Sequence, residues 1–406
     1  MFDKFRNNIT VLLLGAFTLC ACSGPDTLSG QDDANPDNAV YLNFSVTLSN
    51  NTGSYSPVSG RALVTVPGDK DYFEPETSDY EKIHTLRVII LRPEEEGLVV
   101  EHNRCINEAD GQTFSEKELE FKVKGGEKKT IYLIANEAGA GTPLPELTQG
   151  SVYTEGELEN LIIETTDDNL LLYDNRESSN NKKHIPMGEV YQVYVPLPQK
   201  ETDRFDAGTM FVTRAAVKFS FNITATYGDG LYLTAIAVHG LADREYLLPH
   251  NTEYYPAKPS PGIENPPTVP HPGLKGHFIT QYDIPADTRH LSYTWQTEVP
   301  LSGNGTLIAP EYYFCESKHK RPETAPDDTP YSVSITLTDK TGNEHLFTGI
   351  PLPNLPILPR NTHVKVNIHI GDEDKVDCEV ELVPYTGVWL DPDFGIDRKE
   401  PNEPNV

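Results

Sequence analysis

Residues 40–48 read Val40-Tyr41-Leu42-Asn43-Phe44-Ser45-Val46-Thr47-Leu48, an unbroken alternation of apolar and polar side chains. Successive side chains of a strand point to opposite faces, so Val40, Leu42, Phe44, Val46 and Leu48 share one face, the pattern of a strand with one side in a core. The same chemistry recurs at short intervals. Leu86–Leu91 (LRVIIL), Glu118–Lys124 (ELEFKVK) and Thr130–Ala135 (TIYLIA) are rich in β-branched and aromatic residues and bounded by Pro, Gly or Asn. The chain is therefore predicted to be all-β.

One stretch departs from this pattern. Thr154–Glu164 carries Thr154 and Glu157 at the spacing of a capping box, with Leu158, Leu161 and Ile162 on one helical face, so a short helix is expected there. A second block of strands comes after the polar stretch 198–203: Val217–Ile223, Leu231–Val238, Tyr331–Leu337, His363–Ile370 and Val380–Leu390. Between them, Tyr255–Leu274 is crowded with prolines and reads as a long loop. The expected divisions are a β-rich unit over 62–205, a second over 206–397, and a polar, proline-rich tail over 398–406 that is expected to be disordered.

The N-terminus has its own logic. Lys4 and Arg6 precede an apolar run from Ile9 to Leu19, which closes on Leu19-Cys20-Ala21-Cys22. The run is too short to span a bilayer as a helix and resembles the export signal of a bacterial lipoprotein, residues 1–21, with Cys22 as the lipidated first residue of a segment reaching to residue 61. Each acyl methylene buried in a membrane contributes about 0.8 kcal/mol, so a multiply acylated cysteine would hold a soluble domain at the outer membrane.

Composition bounds the remainder of the chain. Its 406 residues are too many for one ordinary core and suit two domains of about 150–200 residues. The formal charge of −28 becomes more negative once Lys4, Arg6 and Asp3 are removed, which argues against nucleic acid as a partner. Of five cysteines, Cys105, Cys315 and Cys378 remain beyond the signal and Cys22, so at most one disulfide can form.

Catalytic signatures are missing. No HExxH, GxSxG or phosphate-binding glycine loop occurs, and no cysteine or histidine spacing suggests a metal or a cofactor. His363 and His369 stand at even spacing and are expected to share one solvated strand face. Gly371-Asp372-Glu373-Asp374-Lys375 lacks the spacing of a calcium loop and reads as a hairpin turn. No enzyme activity is expected.

Four phrases, in order, resemble the fimbrillins, the type V pilins of Bacteroidia: Tyr80–Ile90 with Ile131–Asn136 downstream, Ile185-Pro186-Met187-Gly188, Thr213–Phe219, and Pro359–Val366. The resemblance implies two transthyretin-like β-sandwich domains in tandem. It also implies a lipoprotein precursor that an arginine-specific surface protease trims, removing the first strand, and that polymerises with other fimbrial subunits by strand exchange. Carried onto this chain, the removable strand is Val40–Leu48 and the cleavage falls between Arg61 and Ala62, with Arg87 and Arg92 as alternatives. The donor strand would lie near the C-terminus, with Val380, Leu382, Val388 and Leu390 as its apolar face and Pro384 at a bend between two short segments. Stalk, tip and anchor roles remain open within the family. Outside it, a glycan-binding outer-membrane lipoprotein is the competing reading. Such modules bind through exposed aromatic platforms, whereas this chain has only two tryptophans, Trp295 and Trp389, far apart in sequence. Aromatic residues in strands are more often core than platform.

Overall fold

The computed structural model describes residues 38–48, 81–107, 118–165, 184–200, 203–226, 230–254, 279–319, 330–352, 355, 357–372 and 375–384. The first eight strands are β1 (Ala39–Leu48), β2 (Thr85–Glu94), β3 (Gly97–Asn107), β4 (Glu118–Lys124), β5 (Glu127–Ala135), β6 (Ile162–Glu164), β7 (Met187–Val195) and β8 (Arg204–Arg214). Thirteen more complete the order: β9 (Val217–Ala225), β10 (Tyr232–Ala242), β11 (Arg244–Tyr246), β12 (Asn251–Tyr254), β13 (Ile279–Tyr282), β14 (His290–Pro300), β15 (Thr306–Phe314), β16 (Ser317–Lys318), β17 (Ser332–Thr338), β18 (Glu344–Pro351), β19 (Ile357–Leu358), β20 (Thr362–Asp372) and β21 (Lys375–Pro384).

Seven of the first eight strands form one ladder in the order β3-β2-β5-β7-β8-β1-β4. It turns at β7–β8, which pair only at Met187–Arg214 and Gly188–Thr213. The two arms then face each other across one core, to which β1, β4 and β8 contribute from one side and β2, β5 and β7 from the other. β2 and β5 are buried on both faces: Leu86, Val88 and Ile90 enter this core, while Ile89 and Leu91 enter a second one behind it with Tyr132 and Ile134. That double burial is why LRVIIL and TIYLIA read as continuous apolar runs rather than alternations.

The remaining core lies between two four-stranded sheets, β14-β10-β17-β18 and β15-β9-β20-β21. Phe219, Phe221, Phe314 and Trp295 fill its centre, with the Trp295 and Tyr312 ring centroids 4.0 Å apart. β9 and β20 pair in parallel along their length, and β20 turns into β21 by a hairpin whose last pair is Asp372–Lys375, as the acidic run suggested.

Three expectations need correction. Residues 155–160 form consecutive turns, not a helix, and the one helical element lying wholly within the described residues is a 3-10 turn at Glu137–Ala140. Gly156 adopts φ +92°, which an α-helix cannot accommodate, and Glu159 rather than Glu157 holds the turns, taking hydrogen bonds from the Gly156 amide and from the Tyr132 and Tyr153 hydroxyls. Ile162, placed on the helix, instead opens β6. The change of sheets falls at Ala215 and Ala216, after the division expected at residue 205, because β8 pairs with β1 and β7. Finally, His369 is exposed but His363 is buried and hydrogen-bonded to Ser220 Oγ at 2.9 Å, so the face they share is solvated at one end only.

Candidate strand-exchange site

β1 sits inside its sheet rather than at an edge. It runs antiparallel to β4, with Val40 opposite Val123, Leu42 opposite Phe121 and Phe44 opposite Leu119, and parallel to β8 from Tyr41–Arg204 to Leu48–Val212. Val40, Leu42, Phe44 and Val46 are each no more than 1% exposed, and Phe44 stacks on Phe121 at 5.6 Å. Burying such side chains is worth about 1.5–3 kcal/mol each, so the strand contributes on the order of 10 kcal/mol of gross burial. Without it, β4 and β8 would face each other across a slot with unpaired backbone on both walls.

The wall formed by β8 is irregular. Its inward residues are Phe205 and Ala207, then Met210 and Val212, a break in parity set by a bulge in β8 between Asp206 and Thr209, opposite Asn43–Ser45 of β1. Gly208 provides it, at φ +76° with its amide on Asp206 Oδ1. On the outward face, Tyr41 stands opposite Lys122 and Arg204, whereas Asn43 stands opposite Glu120 and Asp206. Asn43 is only 5% exposed although it points away from the apolar core.

Downstream, the chain is held firmly from residue 81 onward. Glu81, fully buried, accepts a hydrogen bond from Tyr313 at 2.5 Å and pairs with Lys218 at 3.4 Å, while its carbonyl accepts from Arg214 Nε. Asn136, at φ +52°, accepts from the His84 amide and donates to the carbonyls of Lys82 and Ile185. Residues 81–85 are thus tied to the end of β8, to β9 and β15, and to Asn136 just after β5, with no bond of this set made to β1 itself.

A second buried cluster joins the two halves of the chain. Arg360 donates to the carbonyls of Leu247 at 3.0 Å and Tyr246 at 2.5 Å and to the Glu316 carboxylate, with Glu245 at 3.8 Å. Burial pushes Glu189 up to about 8, against the Val190 amide and Arg360. Burial likewise raises Glu245 to about 8, with Glu316 adding to it and Arg360 opposing. Burial works against the charge on Arg360, yet Glu316 and Glu245 more than offset it and keep the guanidinium protonated.

Of the sequence-predicted residues, β1 supplies four of the five expected apolar ones, and the Leu48 side chain lies outside the described residues, as do Cys22, Arg61, Ala62, Val388, Trp389 and Leu390. Val380 and Leu382 are in β21, the edge strand of its sheet, and Val380 packs partly buried against the second-half core. Arg87 is paired on both sides within β2 and bound to Glu137, and Arg92 also lies within β2. Trp295 is buried among Phe221, Tyr293 and Tyr312 rather than exposed as a platform. Among the described residues no group of three or more His, Cys, Asp or Glu is placed to hold a metal ion. Sequence reasoning missed the bulge at Gly208, the Glu81 clamp and the Arg360 cluster. Two of the quoted phrases did contain Arg214, Lys218, Arg360 and Asn361, and their unusual mixing of charge with strand pattern was the available signal.

No family model matches the chain, and no curated protein does either. Solved structures with a similar arrangement include a candidate cell adhesion protein from Parabacteroides distasonis ATCC 8503, 13% identical over 87% of this chain and 98% of that one, with a TM-score of 0.47. A C-terminally truncated tip fimbrial protein from Porphyromonas gingivalis is 13% identical over 85% of this chain and 99% of that one, with a TM-score of 0.42. A fimbrial assembly protein, also from Parabacteroides distasonis ATCC 8503, is 9% identical over 85% and 98%, with a TM-score of 0.40.

Proposed function

We propose that this chain is a subunit of a cell-surface fimbria, exported as a lipoprotein through Cys22 and activated when a protease cuts between Arg61 and Ala62. The supporting observation is the position of β1 between β4 and β8. It is the first strand among the described residues, supplies four fully buried apolar residues, and is followed by the candidate cleavage point before the Glu81 clamp. A cut there would free β1 without severing any other described strand. The vacated slot would then be filled by an apolar alternating strand of a neighbouring subunit, satisfying both backbone walls at once. The C-terminal stretch with Val380, Leu382, Val388 and Leu390 is the segment assigned to donate in turn, since β21 already lies at a sheet edge. Burial of Trp295 and the pairing of Arg87 favour this reading over glycan binding and over cleavage at Arg87.

Replacing Arg61 with alanine tests the proposal. Arg61→Ala should accumulate as unpolymerised, membrane-bound protein at the cell surface, whereas polymers of undiminished length would remove the proposed switch.

A further inference from the structure

The outward face of the β1 slot discriminates between candidate donors by charge. The resident strand presents Tyr41, Asn43 and Ser45 there, all uncharged. Glu120 and Asp206 flank the Asn43 position from its two sides, and that position is nearly closed to solvent. A carboxylate placed at it would be desolvated between two like charges, while Arg204, the nearest cation along β8, already pairs with Glu120 at 3.1 Å.

The chain's own edge strand carries acids in that row. In β21, Val376, Cys378 and Val380 pack toward the core, so Asp377 and Glu379 fall on the opposite, exposed face, and Glu381 continues the alternation in the sequence. The two registers that set Val376, Cys378, Val380 and Leu382 of a donor on the Val40, Leu42, Phe44 and Val46 positions, one in each strand direction, both bring Glu379 to the Asn43 position. The basic flank at Tyr41 could accept one acid but leaves the others facing Glu120, Asp206 and the Glu118 register position. Two copies of a chain with formal charge −28 also repel each other at longer range.

Building on the strand-exchange function above, we infer that the slot rejects β21 of a second copy. The strand replacing β1 comes from a different subunit, one with alternating apolar residues on one face and an uncharged residue opposite Glu120 and Asp206. The protein then occupies a junction between unlike subunits rather than repeating along a homopolymer.

Capture of peptides by the full-length protein during digestion with an arginine-specific protease tests this, read by native mass spectrometry at low salt. Three peptides are compared: residues 38–48, residues 375–384, and residues 375–384 carrying Asp377→Ser, Glu379→Asn and Glu381→Ser. The expected result is capture of the first and third, with the unaltered 375–384 peptide captured at least tenfold less and the gap narrowing as salt is raised. Equal capture of both 375–384 peptides overturns the inference and leaves the strand-exchange reading standing. Capture of residues 38–48 alone overturns the charge argument, since neutralisation would then not matter. Capture of none, the 38–48 peptide included, removes the exchangeable slot and with it both claims.

Discussion

Arg360 is the cation that the fold places among Glu189, Glu245 and Glu316, and it is bonded to Glu316. Burial keeps the other two carboxyls protonated near neutrality against the pull of Arg360, each raised from an ordinary value near 4.5 to about 8. Because the folded state holds these protons more tightly than the unfolded chain, their contribution to stability is complete below about pH 4.5 and is lost as pH rises toward 8. Thermal unfolding between pH 5 and 8 should show a falling midpoint, and Glu245→Gln should flatten the slope while changing stability at pH 5 by no more than about 1 kcal/mol. An unchanged slope would mean Glu245 ionises freely. None of this was legible in the sequence, because what decides whether a glutamate is charged is the company it keeps after folding. Glu245 and Arg360 lie far apart in the chain, and nothing about either residue's neighbours in sequence announces the pair.

The strands themselves were legible, and the reason is physical. A period of two or a short apolar run survives any choice of sheet partner, so Glu118–Lys124 coincides with β4 and Val40–Leu48 with nearly all of β1. Partner choice was not legible: β1 pairs with strands from two distant parts of the chain, and only tertiary packing selects them. The failed helix shows the opposite limit. Leu158, Leu161 and Ile162 have helical spacing, but one glycine at φ +92° and a glutamate bridging two tyrosines outweigh it. At the level of β1, the two faces should behave differently. Phe44→Ala, which empties a buried ring site stacked on Phe121, is expected to cost about 3–5 kcal/mol in denaturant unfolding. Tyr41→Ala, on the outward face above Arg204, should cost distinctly less. Equal losses would mean that the strand is not seated through its apolar face.

Across the whole molecule three features combine: a first strand enclosed by β4 and β8, a candidate cleavage point downstream of it, and buried polar clamps that hold the remainder together without it. Glu81, bound to Lys218 and Tyr313, fixes the point where β2 begins, and Arg360 fixes residues 246–247 over the back of the first half. The body that remains after trimming is thereby predicted to keep its other strands in place while the slot is open. Sequence carried the first two features through alternation and the placement of Arg61, whereas the clamps emerged only from the fold. N-terminal sequencing of the protein recovered from surface polymers tests the central claim most directly. Strand exchange triggered at Arg61 predicts a chain that begins at Ala62, with residues 22–61 absent; a polymer whose subunits retain Cys22 and residues 40–48 would contradict it.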